Sequence, residues 1–224
     1  MIGIIGAMDN EINIIIKNLK ETKKKQVLFL EFYIGYLFNR KIVVVKSNEG
    51  KVNSAVATQI MIENFELDYI LNVGVAGSLV DNLKVYDVAI ARSVVEFDND
   101  TTALGYNKGY IFGLNTVYLD TDDKLFNKIK SCVTKLNFNF LAGVIASSDK
   151  FITNTKEKEY INDTFNAIAV DMESASIAHV AKLNSKPFIA FRVISDSGSD
   201  IEYEKFAGIA TEKIFEVLKI FLNS

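Results

Sequence analysis

The stretch "FIAFRVISDSGSD", Phe188 to Asp200, limits the possible folds more than any other part of the chain. Its apolar residues do not alternate with polar ones, as they would on a strand with one wet face, so the pattern is that of a strand covered on both sides. Arg192 lies in the middle of this run. A guanidinium cannot escape burial by losing its proton, so carboxylates must come to it from elsewhere in the chain. The run ends in Ser195 and Asp196, and open α/β sheets bind ligands at the carboxyl ends of their strands. Two readings stand for Asp196: an acid capping a turn before Gly198, or an acid of a site.

Short runs rich in β-branched and aromatic residues alternate along the chain with segments of helical period, the pattern of strands covered by helices. The predicted strands are Met1 to Ile5, Val27 to Ile34, Lys41 to Lys46, Tyr69 to Val73, Val85 to Val95, Phe140 to Ala146, Ala167 to Val170 and Phe188 to Ile194. Helices are predicted over Asn10 to Leu19, Val52 to Asn64, Asp122 to Leu136, Lys156 to Asn162, Glu173 to Leu183 and Tyr203 to Leu222. With one proline, no linker and no repeat, residues 1–224 read as a single domain. The stretch Phe97 to Asn115 has neither period, and a loop of that length is more often a binding or interface loop than a plain connection.

Twenty-five basic against 28 acidic residues give a net charge of −3, which argues against nucleic-acid or anionic-membrane partners. The cluster Lys23 to Lys25 reads as a solvated turn. A single cysteine, Cys132, excludes an internal disulfide, and with a single histidine, His179, it offers no metal cluster and no histidine triad. No cofactor or metal is expected. His179 reads as a helix residue hydrogen-bonded locally. No apolar run is long enough to span a bilayer and no secretory leader is visible, so the expected location is cytoplasmic.

Three more polar positions stand out. In "MIGIIGAMDNE" a strand and glycine turn place Glu11 in a first helical turn, where it either complements the helix dipole or serves a site. The turn "LNVGVAGSL" carries small residues that let a ligand or a backbone approach closely. In "VDMESASIAHVA", Glu173 shares a helical stripe with Ile177 and Val180, a core-facing address for an acid, while Asp171 reads as a helix cap and not as part of the chemistry. Glu11, Glu173, Asp196 and Arg192 together suit acid/base chemistry on a neutral or cationic small molecule. Neither GxGxxG nor GxxxxGK[ST] occurs, so dinucleotides and nucleoside triphosphates lose their main support.

Taken in order, "GIIGAMDNE", "SNEGKVNSAVAT", "LNVGVAGSL", "FDNDTTALGY", "SSDKFI", "VDMESASIAHVA" and "RVISD" resemble the 5′-methylthioadenosine/S-adenosylhomocysteine nucleosidases of the nucleoside phosphorylase superfamily. The resemblance spans nearly the whole chain. It implies a three-layer α/β/α sandwich around a central mixed sheet, in a homodimer that hydrolyses the bond between adenine and a 5′-thio-substituted ribose. By similarity, Glu11 is the general base that activates water and Asp196 the acid that protonates purine N7. Glu173 grips the ribose hydroxyls over Met172, while Arg192 orients the carboxylates and the water. Phe151 stacks on adenine, the backbone of Ile152 reads its edge, and Ser195 lies at the same site. Met8 and Tyr203 form the thio pocket, with Leu104 and Tyr106 arriving from the partner subunit's loop.

The resemblance also separates water from phosphate as nucleophile. Related purine phosphorylases carry arginines at the position of Asn72 and in the first turn, and a serine at Val75, whereas Arg40 and Arg92 of this chain fall on neither arginine position. Without cations a phosphate dianion has little to hold it. Two departures from the nucleosidases stand out: Val75 replaces a common serine, and Glu49 occupies a usually apolar place near the 5′-substituent. Glu49 reads as a solvent-facing loop acid or as a residue favouring a substrate with an ammonium group. The alternatives are a nucleoside phosphorylase, a nucleosidase for another modified nucleoside including a menaquinone-pathway one, and a non-catalytic nucleoside-binding protein.

Overall fold

The computed structural model describes residues 1–195 and 200–224, and the side chains of all of these except 200–207. The chain runs β1 (Ile2–Gly6), α1 (Asp9–Lys17), β2 (Lys20–Val27), β3 (Leu30–Leu37), β4 (Arg40–Lys46), α2 (Lys51–Asn64), β5 (Tyr69–Ser78), β6 (Val88–Glu96), β7 (Leu119–Asp120), α3 (Asp123–Lys135), β8 (Phe140–Ser147), α4 (Thr155–Phe165), β9 (Ala167–Asp171), α5 (Ser174–Leu183), β10 (Phe188–Ser195) and α6 (Asp200–Asn223). A 3₁₀ turn, Thr102–Leu104, lies in the long loop after β6.

The strands form one mixed sheet in the order β10-β6-β8-β9-β5-β1-β4-β3-β2, with β7 beside β6. Strand β10 also pairs in parallel with β5, from Phe188 opposite Ile70 to Ser195 opposite Gly77. That pairing closes β5, β10, β6, β8 and β9 into a ring, from which β1, β4, β3 and β2 extend as a wing. On the edge of β5 away from β10, β1 pairs with Tyr69 to Asn72 and β9 with Gly77 and Ser78. Val73 to Ala76 have no strand on that edge, so their backbone must find other partners there.

Helices cover both faces. α2 and α5 bury Ala57, Met61, Ala175, Ile177 and Ala181 on one side, while α1, α3 and α6 bury Ile12, Ile15, Ile129, Val217 and Phe221 on the other. The expected three-layer sandwich is present, and the run around Arg192 is buried on both faces as its lack of alternation requires. Local chemistry sets several ends. Asp122 caps α3 by accepting the Leu125 N–H at 2.9 Å, and Asn154 caps α4 through the N–H groups of Lys156 and Glu157.

Two readings of the sequence change. Val27 to Ile34 is not one strand, because a turn at Leu28 and Phe29 divides it between β2 and β3. Lys23 to Lys25 lie within β2 rather than in a turn. That strand ends the sheet, with no apolar face to bury, and so lacks the alternation that marks a strand. Lysines on such an edge also oppose pairing with another chain.

Candidate active site

The carboxyl ends of β1, β4, β5, β8, β9 and β10 surround a cavity of about 400 Å³, a size that suits a small molecule. Met8 and Glu11 line it after β1, Glu49 after β4, and Val75 from β5. Phe151 and Ile152 line it after β8, Met172 and Glu173 after β9, and Ser195 from the end of β10. Most of the residues expected at a site therefore converge. Leu104 and Tyr106 do not line this cavity; both are exposed, and Tyr106 packs with Tyr110 and Phe112. Asp196 and the side chain of Tyr203 lie outside the described residues.

Glu11 is third in α1, and its Oε2 accepts the N–H groups of Ala7 at 2.6 Å and Met8 at 3.0 Å. Its Oε1 accepts the N–H of Val75 at 2.9 Å. That amide belongs to the stretch of β5 left without a strand partner, so the gap in the sheet becomes a seat for a carboxylate. The dipole reading of Glu11 is thus true but incomplete. Burial pushes its carboxyl above the ordinary 4.5, against the opposing pull of the Arg192 guanidinium and the three amides. Gly74 lies opposite Arg192 in the β5–β10 register, and a methyl group there would overlap Glu11 Oε1 and come within 3.3 Å of Arg192 Nη1.

Glu173 is the N-cap residue of α5 and is buried, with Oε1 accepting the Gly50 N–H at 3.0 Å. Gly50 precedes α2 at φ +95°, a conformation that favours glycine. Burial first and the Asp171 charge second push the Glu173 carboxyl up to about 8, opposed by Arg192 and by the Gly50 amide. A neutral carboxyl offers one donor and one acceptor, which suits a pair of vicinal hydroxyls.

Arg192 is buried and finds its carboxylate in Asp171, whose Oδ2 accepts from Nε at 2.8 Å and forms an ion pair with Nη2 at the same distance. Nη2 also donates to Asn72 Oδ1 and, at 2.9 Å, to Ser174 Oγ. Asp171 does cap the helix, through the N–H groups of Glu173 and Ser174 at 3.2 Å each, and it accepts from Ser147 Oγ and Ser174 Oγ as well. It is therefore both helix cap and counter-ion. Among the described residues, Arg192 Nη1 is buried without a hydrogen-bond partner, on the side where Glu11 lies.

A family model described as the phosphorylase superfamily matches residues 1–223. A 5′-methylthioadenosine/S-adenosylhomocysteine nucleosidase of Staphylococcus carnosus is 36% identical, with all of both chains covered. The chain belongs to this nucleosidase family. Two solved structures are similar throughout. One is an S-adenosylhomocysteine nucleosidase of Streptococcus pyogenes in complex with 5-methylthiotubericidin, at TM-score 0.94 and 33% identity, covering 99% of this chain and 95% of that one. The other is a 5′-methylthioadenosine/S-adenosylhomocysteine nucleosidase of Neisseria meningitidis in complex with methylthio-immucillin-A, at TM-score 0.94 and 30% identity, covering 99% and 98%.

In this member of the nucleosidase family, the sequence pattern left three supporting contacts unread. The Gly50 and Val75 amides hold the two buried acids, and Asp171 holds Arg192. Backbone donors leave no trace in residue type, except that Gly50 stands in a conformation few other residues adopt. His179 was expected to bond within its helix but instead meets Glu96 Oε1 at 2.8 Å, 83 residues away. Glu96 also faces Lys51, the first residue of α2. The departure at Val75 is harmless to Glu11, since the amide and not the side chain makes the contact.

The raised pKa of Glu173 has a consequence for stability. Between its unfolded value near 4.5 and about 8 the folded chain keeps a proton that the unfolded chain releases, so this group's contribution is full below the lower value and lost as pH rises through the upper one. Glu173→Gln cannot charge. Its stability relative to the parent is expected to climb from pH 5 to pH 9, by an amount on the order of 1 kcal/mol or more. Thermal melts across that range read the difference, and a difference flat with pH would contradict the burial of an ionisable group there.

Proposed function

We propose that the protein hydrolyses the N-glycosidic bond of 5′-methylthioadenosine and S-adenosylhomocysteine, and by extension 5′-deoxyadenosine, releasing adenine and the 5′-substituted ribose. The observation that carries this reading is the pair of buried acids on one cavity, Glu11 seated by three amides and Glu173 by one. In the reaction the C1′–N9 bond breaks and its electron pair leaves with the purine, while positive charge develops on the sugar. Asp196 donates a proton to purine N7, so that adenine departs neutral. Water adds to C1′ as its proton passes to Glu11, whose raised pKa makes it a better base than an exposed carboxylate. Glu173 holds the ribose hydroxyls above Met172, and Phe151, 72% exposed at the cavity mouth, covers the base while the buried Ile152 borders it. The ionised Glu11 stabilises the cationic sugar.

The charges at the cavity favour water over phosphate. Lys150 is tied to Glu157 at 2.7 Å, Arg92 pairs with Asp123 at the surface, and Arg192 commits two of its nitrogens to Asp171, Asn72 and Ser174. A phosphate dianion would face the carboxylates of Glu11 and Glu49 across the same space. The deciding experiment is adenine release from 5′-methylthioadenosine in phosphate-free buffer. Release independent of added phosphate is expected; release that requires phosphate would make the protein a phosphorylase, and tight binding without release a nucleoside-binding protein.

The homodimer belongs to the same proposal. Leu104 is 70% and Phe112 51% exposed, and with Tyr106 they give the long loop an apolar surface that a second copy would cover. Leu104 and Tyr106 would then reach the partner's cavity. Leu104→Glu is expected to shift the sedimentation coefficient towards the monomer and to raise KM about tenfold or more, by placing a charge in a desolvated contact. A variant that remains dimeric with unchanged KM would remove Leu104 from the interface. A reducing cytoplasmic setting suits the free, buried thiol of Cys132.

A further inference from the structure

Glu49 lines the cavity yet is exposed, and its carboxylate has no ion pair or side-chain hydrogen bond among the described residues; only its backbone carbonyl accepts, from Asn53 Nδ2 at 2.8 Å. The other charged groups on the cavity are committed. Glu11 and Glu173 are seated on amides, Asp171 on Arg192, and Lys150 on Glu157. Glu49 thus adds a negative charge that no cation among the described residues pairs with.

Its neighbours say which part of a ligand it meets. Glu49 follows β4, and Phe151 and Ile152 follow β8. The two loops meet where the Lys51 N–H donates to Asp149 Oδ1 at 2.7 Å. Glu49 directly precedes Gly50, whose amide holds Glu173. With Phe151 over the base and Glu173 at the ribose hydroxyls, what remains for the exposed Glu49 beside them is the 5′-substituent. We infer that Glu49 is a specificity residue that selects nucleosides whose 5′-thioether tail carries a cation, such as the ammonium of an amino-acid or aminoalkyl chain. This rests on the nucleosidase reading of the site.

The contact is solvated, so the expected gain is that of an exposed ion pair, about two- to fivefold in kcat/KM, and it should shrink in high salt. Three adenosine 5′-thioethers of equal length separate charge from bulk: 3-aminopropyl, propyl and 3-carboxypropyl. The unaltered protein is expected to prefer them in that order at low ionic strength, and Glu49→Gln to level the ranking while Glu49→Lys reverses it. Because each variant is read as a ratio between tails, a general loss through misfolding cancels. A protein that releases no adenine from 5′-methylthioadenosine would refute the reading of the site. A protein that does release it, but ranks the three tails alike with and without Glu49, would refute the role of Glu49 alone.

Discussion

Glu11→Gln is expected to lower adenine release by roughly 10²- to 10⁴-fold, the range for loss of a positioned base, while substrate affinity changes far less. The substitution keeps the size of the side chain but not its ability to take a proton from water. One end of the amide must also turn an N–H towards a backbone donor, either at Val75 or at Ala7 and Met8, so a small loss of order accompanies the chemical one. In the parent protein, activity should fall on the acidic side as Glu11 takes up a proton, with a midpoint above 4.5 because burial raises its pKa. Steady-state rates with pH and calorimetric binding to the variant measure both parts. More than about a tenth of parental turnover in the Gln variant would remove Glu11 from the proton transfer.

Arg192→Met should cost about 3–5 kcal/mol of stability, because it leaves Asp171 buried and charged without its counter-ion. In a chain of this length that is a fall of roughly 6–20 °C in melting temperature. The remaining donors to Asp171, Ser147, Ser174 and two backbone amides, soften the loss without neutralising the charge. Removing both partners in Arg192→Met with Asp171→Leu should recover part of the stability, since no lone charge stays behind. The guanidinium also lowers the Glu11 pKa, so its loss should move the acidic limb of activity to higher pH in whatever activity persists. Melting within about 1 kcal/mol of the parent would mean that the pair is not buried in solution.

The layers, most of the strands and the cluster of site residues were legible because each rests on side-chain type: unbroken apolar runs for covered strands, glycine turns at strand ends, and acids in apolar surroundings. What escaped the sequence depends on pairing or on the backbone. The ring closed by β5 and β10 needs a second partner for β5, which no local pattern records. The strand over Lys20 to Val27 buries too little to alternate. Asp171 was legible as a cap, but its ion pair with Arg192 joins residues 21 apart in the chain and becomes visible only when β9 and β10 are brought together.

The seating of the two acids on main-chain amides also bears on how such a pocket diverges. The amides at Ala7, Met8, Val75 and Gly50 persist whatever side chains stand at the first three positions, provided none is proline. Side chains facing the ligand are then free to drift while the reacting groups stay where they are. Valine at position 75 and an acid at position 49 are changes of that kind, and a lineage can retune its choice of nucleoside through them without rebuilding its chemistry.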